Sequence, residues 1–169
     1  MKSTTGIAGA RRPGGAFIWS LGCFIPVLGL LERGGFYQRI GVVPLWLADA
    51  EAMRTQFWGG RYFLALAPIG LLLWLATVVS GWKYRGAGSR RLFATHGAYL
   101  LIIGATAAYF VPFLLQHVGN LADSKPSVLL RAQLQIWAAL SLGRQILGVL
   151  VLGSYVALFG IVSREHGRA

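Results

Sequence analysis

Apolar residues fill four long stretches of the chain, at about 16–31, 62–82, 92–118 and 136–162, and polar residues collect between them. A bilayer core needs about 20 apolar residues of helix. The last three stretches meet that length, while the first, at 16 residues, is short unless its flanks extend it. Pro26, Pro68 and Pro112 lie inside the first, second and third. Helix breakers are tolerated inside membranes where neighbouring groups satisfy the freed backbone. The fourth helix is expected to start ahead of its apolar run, because Pro126-Ser127 is a start signal. The pattern predicts an all-α protein of one domain, an integral membrane four-helix bundle. It has a long loop between helices 1 and 2 and no internal repeat.

That loop, residues 32–61, is long for a helix–helix connection, and long connections tend to carry function. It holds "GVVPLWL", too short to span, then "ADAEAMRTQFWGG", which can form a short helix along the interface. Phe36, Tyr37, Trp46, Phe57 and Trp58 give it an aromatic underside. The aromatics are either a belt at the membrane interface or a lid over a site opening between the helices.

Charge sets the orientation. Lys2, Arg11 and Arg12 precede the first stretch, "KYRGAGSRR" joins the second to the third, and Arg164 and Arg168 follow the fourth. These nine basic residues in short segments oppose six in the two longer loops, which also hold four of the five acids. Both termini are therefore expected in the cytoplasm of a multi-pass protein of the cell (inner) membrane. Basic residues precede the first stretch, as in a signal peptide, but the A-x-A at Ala48–Ala50 lies far beyond its apolar core, so a retained helix is expected.

Composition agrees. Of the 169 residues 56% are hydrophobic and 12% charged, with mean hydropathy +0.60. A soluble domain carries about twice that charge. The net charge of +11 does not point to nucleic acid, since the basic residues punctuate the apolar runs rather than forming a patch. The lipid bilayer is the expected partner. Cys23 is the chain's one cysteine, which leaves no internal disulfide and no cysteine metal cage.

One residue resists the pattern. Arg144 lies inside the fourth apolar stretch, about 12 Å down the helix from Ile136 at 1.5 Å per residue. A guanidinium in hydrocarbon costs at least about 2.5–3.5 kcal/mol. Gln133, Trp137, Ser141, Arg144 and Gly148 follow at steps of four, four, three and four, which is one helix face. A polar face on such a helix must point into the bundle. Arg144 is either structural, pairing with Glu32 or capping carbonyls, or it marks a site.

The third stretch ends in "AAYFVPFLLQHVGN", where His117 and Asn120 are neighbours at i, i+3 and Phe113, Phe110 or Tyr109 continue that side. They can meet Gln133 and Arg144 from the antiparallel fourth helix. His117 is either a base or a hydrogen-bonded interfacial residue.

Other chemistries fit less well. His96 and His117 stand 21 residues apart, about 31 Å along one helix. A bis-histidine haem would have to pair His96 with His166. No histidine pair at i, i+4 and no cysteine cluster suggests a metal. The spans contain no G-x-S-x-G turn for a nucleophile. As delimited above they also hold no carboxylate, which a proton-coupled transporter would be expected to have.

The pair "FVPFLLQHVGN" and "LLRAQLQIWAALSLGRQILGVLVLG" resembles the small four-helix membrane family named for anthrone oxygenase, also catalogued as a domain of unknown function. Trp137, Leu140 and Arg144 stand where that family has W-x-x-L-H-x-x-R, and Asn120 matches its asparagine; the family's histidine falls on Ser141. The resemblance implies a membrane-embedded, cofactor-independent oxygenase, isomerase or cyclase acting on a lipophilic aromatic or polyketide-like substrate. Arg144, His117 and Asn120 would be catalytic, with His117 substituting for the missing histidine. Trp137, Ser141, Gln133, Phe113, Tyr109 and Trp58 would hold the substrate. A buried arginine can stabilise an enolate or phenolate oxygen whatever the family. The alternative is an accessory or assembly subunit of a larger membrane complex or homo-oligomer, its polar face docking a partner helix beside Gly143, Gly148 and Gly153.

Overall fold

The computed structural model describes residues 13–48, 61–117 and 128–167, and all its regular structure is helical. Helix α1 runs over Gly15–Tyr37 and passes through a π-wound turn, Gln38–Val42, into α2, Val43–Ala48. Helix α3 is Arg61–Gly81. Helix α4, Ser89–Ala105, continues through a second π-wound turn, Thr106–Phe110, into α5, Val111–His117. Helix α6 is a single helix of 40 residues, Val128–Gly167. Three of these helical stretches, Gly15–Trp46, Ser89–Phe113 and Val128–Gly167, are long and apolar enough to cross a membrane, and they present large apolar side chains outward, among them Trp19, Leu101, Ile136 and Leu150. The apolar helices fit a lipid bilayer environment.

The first helix departs from the sequence reading. It does not stop at residue 31: helical winding continues to Ala48, so the first half of the expected loop is helix. Glu32 then stands eighteenth of the 34 residues from Gly15 to Ala48, well inside a candidate span. Hydropathy ended the span at the first charge, because it cannot see a charge matched by a neighbouring helix. The expectation that no span carries a carboxylate is thereby corrected. The expected interfacial helix over 48–60 lies, apart from Ala48 at the end of α2, outside the described residues.

α1 and α6 form the antiparallel spine. Gly22 lies against Phe159, Gly29 against Leu152, Glu32 against Gly148 and Gly35 against Gln145, so each step along one helix is matched by a step back along the other. His166 near the end of α6 faces the carbonyl of Pro13 at 3.3 Å, which extends the register to the chain's first described residue. α3 packs on α1, with Gly70 against Leu31 and Val27, and α4 packs on α6, with Thr95 Oγ1 and Ser154 Oγ 2.7 Å apart. Lipid tails are as apolar as leucine, so this packing and these polar contacts, rather than hydrophobic burial, hold such helices together.

The buried residues separate into two apolar clusters. One, toward the 82–88 connection, includes Phe17, Leu21, Phe24, Trp74, Tyr99 and Tyr155. The other, toward the far end, includes Val43, Trp46, Phe110, Leu134 and Trp137. From Gly15 to Trp46 is 32 residues, about 48 Å of helix, against a hydrocarbon core of about 30 Å. α3 is not among the three long stretches: the expected span 62–82 is represented by a shorter apolar helical stretch within it, Ala65–Gly81.

The two π-wound turns share a cause. Pro44 and Pro112 each stand two residues after the end of a turn. A proline has no N–H to give the i−4 carbonyl and its ring crowds that carbonyl, so the preceding turn widens.

Candidate functional site

Between the two clusters lies a polar layer on the spine. Glu32 and Gly35 on α1 face Arg144, Gln145 and Gly148 on α6. A side chain at position 148 would overlap the Glu32 carboxylate, so glycine is what lets the acid lie flat against the opposite helix. Gln145 Nε2 donates to the carbonyl of Gly35 at 2.6 Å. Arg144 and Glu32 attract each other electrostatically, and the guanidinium carbon stands 5.6 Å from the Phe110 ring centre. That last distance is within cation–π range.

Both π-wound turns belong to this neighbourhood. The spine register that pairs Glu32 with Gly148 puts the first turn opposite Ser141, and the second ends at Phe110, under Arg144. π-bulges are frequent at functional sites.

Just beyond is an aromatic group. Phe113 stacks on Trp137 with ring centres 6.2 Å apart and planes 16° apart; Phe110 meets Trp137 edge-on at 6.0 Å, and Tyr109 leans on both phenylalanines. Of the residues the sequence singled out, Trp137 and Ser141 are buried, Gln133, Phe113 and Arg144 are partly buried, and Tyr109 is exposed. Phe113, Tyr109, Trp137 and Arg144 are thus brought together through Phe110. Asn120 and Trp58 lie outside the described residues. His117 closes α5, and its side chain is outside them too.

Sequence reasoning left Gln145 and Gly35 out of the site and gave Glu32 no more than a supporting role. Gln145 stands next to Arg144, but its burial depends on the crossing of α1, which no pattern in α6 reveals.

Among the described residues, five buried polar atoms in this half have no hydrogen-bond partner: Glu32 Oε2, Arg39 Nε, Trp46 Nε1, Trp137 Nε1 and Gln145 Oε1. The other half of the molecule holds two, His96 Nε2 and Ser163 Oγ. No group of three or more histidine, cysteine or carboxylate side chains suited to a metal occurs among the described residues. No protein-family model matches the chain, and no curated protein or solved structure gives a significant match.

Proposed function

We propose that the chain is an integral membrane four-helix bundle of the cell (inner) membrane with both termini in the cytoplasm. Its Arg144 centre would be the site of a cofactor-independent enzyme for a lipophilic aromatic, polyketide-like substrate. The observation that carries this reading is the gathering of five unpartnered, buried polar atoms beside an arginine, a carboxylate and a group of aromatic rings. Each such atom costs about 1–3 kcal/mol when left unpaired. A substrate bearing a phenolic or enolic oxygen would supply acceptors for the indole and guanidinium N–H groups.

The chemistry follows from charge. Arg144 would stabilise the oxygen anion formed when the substrate loses a proton, in surroundings where that attraction is weakly screened. Glu32 joins His117 as a candidate base, since its carboxylate lies beside Arg144 and has an oxygen without a donor. Deprotonation to a stabilised enolate or phenolate is the shared first step of isomerisation, cyclisation and cofactor-free reaction with dioxygen. The burial of Trp137, Ser141 and Gly148 against the chain's own helices counts against a partner-docking role for that face.

The test compares wild type with Arg144→Leu and Arg144→Lys in lipid nanodiscs charged with a membrane extract, with mass spectrometry of bound and converted aromatic compounds. Arg144→Leu is expected to fold and to lose binding or turnover. Arg144→Lys should keep part of it, because an ammonium cannot reproduce the planar fork. If Arg144→Leu unfolds, or folds and still retains the ligand, the arginine is structural and the enzyme reading falls. For orientation, a cysteine placed at position 87 should react in intact cells with a membrane-permeant maleimide and not with an impermeant one.

A further inference from the structure

A groove runs between α3 and α4 at the end of the molecule that carries the 82–88 connection. Its cavity of about 200 Å³ is half open and almost wholly apolar, lined by Trp74, Val78 and Trp82 on one side and Phe93, Gly97 and Leu100 on the other. From Trp74 to Trp82, and from Leu92 to Leu100, is eight steps along the chain, about 12 Å of helix. The groove is thus a short apolar channel that starts at the connection and runs along the helices.

Cations gather at its mouth. Between Trp82 and Leu92 the chain has Lys83, Arg85, Arg90 and Arg91 and no acid, and all four side chains are exposed. Arg85 turns back on the carbonyls of Trp82 and Tyr84, which leaves Lys83, Arg90 and Arg91 facing outward. Arg90, Phe93, Gly97 and Leu100 follow at steps of three, four and three, so Arg90 stands on the groove's own helix face, one turn beyond Phe93. Lys83 directly follows Trp82. The carboxylate at this end, that of Glu165, is committed to the connection: Oε2 accepts from the Tyr84 hydroxyl and Oε1 from the Ala87 N–H. The same level has the marks of a lipid–water boundary. Trp82, exposed, meets Phe93 edge-on at 6.1 Å, and Trp19, also exposed, precedes Ser20, which bonds Ser80. Exposed tryptophans beside a basic connection are what the headgroup zone selects.

We propose that this groove seats an acyl chain of an acidic phospholipid whose phosphate headgroup lies on Lys83, Arg90 and Arg91. A neutral hydrocarbon would fill the groove and leave the cations without a counter-charge. A small soluble anion would pair with the cations and leave the groove empty. A zwitterionic lipid sets its own cation against those at the mouth. An anionic lipid matches both the apolar channel and the charge above it, and basic pockets between membrane helices hold acidic headgroups in this way. The site rests on the bilayer environment of the apolar helices and is independent of any chemistry at Arg144.

The test places the full-length protein in phosphatidylcholine nanodiscs with a trace of photoreactive lipid, a diazirine in the acyl chain of either phosphatidylglycerol or phosphatidylcholine. Peptide mass spectrometry locates the adducts. The phosphatidylglycerol probe is expected to label 74–82 and 92–100 at least about five-fold more than the phosphatidylcholine probe, the attraction of one basic residue to an anionic headgroup layer. Both probes should label the exposed side of α6 around Leu150 equally, which checks that the protein is folded and in lipid. Replacing Lys83, Arg90 and Arg91 together by glutamine should make the two probes equal at the groove. Gly97→Leu should remove groove labelling by both probes and spare Leu150, because a Cβ there meets nothing within 4 Å and projects from a lining position. The proposal is overturned if the probes label the groove equally in the wild type, if the preference survives the triple substitution, or if groove labelling survives Gly97→Leu. It is also overturned if Leu150 is labelled and the groove is not, since another helix then covers it. If neither is labelled, the bilayer reading falls and takes the proposal with it.

Discussion

The two halves of the spine handle polar groups in opposite ways. Toward the 82–88 connection, the buried polar side chains are neutral and mostly paired. Thr95 meets Ser154, Ser20 meets Ser80 at 3.0 Å, and Trp74 and Tyr155 both hold His96 Nδ1. The aromatic rings there interlock as well, with Phe24 edge-on to Tyr155 at 5.1 Å and to Tyr99 at 5.3 Å. Toward the other end, the buried polar groups include a carboxylate, an amide and two indoles beside Arg39, and five such atoms among the described residues lack partners. Paired neutral groups specify how helices dock and cost little to bury. Unpaired charged groups cost stability and are kept where a ligand completes them. The first half should therefore respond to mutation in stability and the second in function.

The largest effect tests the contact between the halves. Gly148→Leu places a side chain in the space of the Glu32 carboxylate and must push α1 from α6. A loss beyond the about 1–3 kcal/mol of ordinary overpacking is expected, measured as unfolding in mixed micelles. Glu32→Ala in the same chain should restore part of that loss. If Gly148→Leu is neutral, the tight spine at this level is not what holds the molecule.

Tyr155→Phe removes the hydroxyl that holds His96 Nδ1 and keeps the ring against Phe24. A loss of about 0.6 kcal/mol, and no more than about 1.7, is expected, with activity at the Arg144 centre unchanged. A change in that activity without a change in stability would erase the contrast between the halves.

The smallest effect concerns the connection itself. Tyr84 donates to Glu165 Oε2 at 2.8 Å and accepts from the Gly88 N–H at 3.1 Å, which ties the 82–88 turn to the end of α6. Burial first, and the Glu165 carboxylate after it, push the Tyr84 hydroxyl up from 10.0 to about 12, against the opposing Gly88 N–H. The folded protein thus holds this proton more tightly than the unfolded chain. The stabilisation is complete below about pH 10 and is lost as pH rises through about 12. Tyr84→Phe should flatten that part of the stability–pH curve and leave the rest unchanged.

Helical class and the three long apolar helices were legible because hydropathy over some 20 residues reports the solvent a helix needs. The polar face of α6 was legible for a related reason: its spacing fits one side of a helix, and lipid excludes charge from the other. Trp137, Ser141 and Gly148 are accordingly buried. The π-wound turns were not legible, although the prolines that cause them were. Pro26 and Pro68 sit inside helices that show no such turn.

What the sequence determined by itself was periodicity and solvent, both local properties read along one helix. It could not determine that α1 continues past Glu32, because whether a charge ends a helix or lies buried within it depends on the residue across from it. That residue is Gly148, more than a hundred positions away. The tertiary structure decided this, and with it the pairing of Gln145 with the Gly35 carbonyl and of His96 with Trp74 and Tyr155. Each depends on two helices crossing at one register, and a register is a property of the pair.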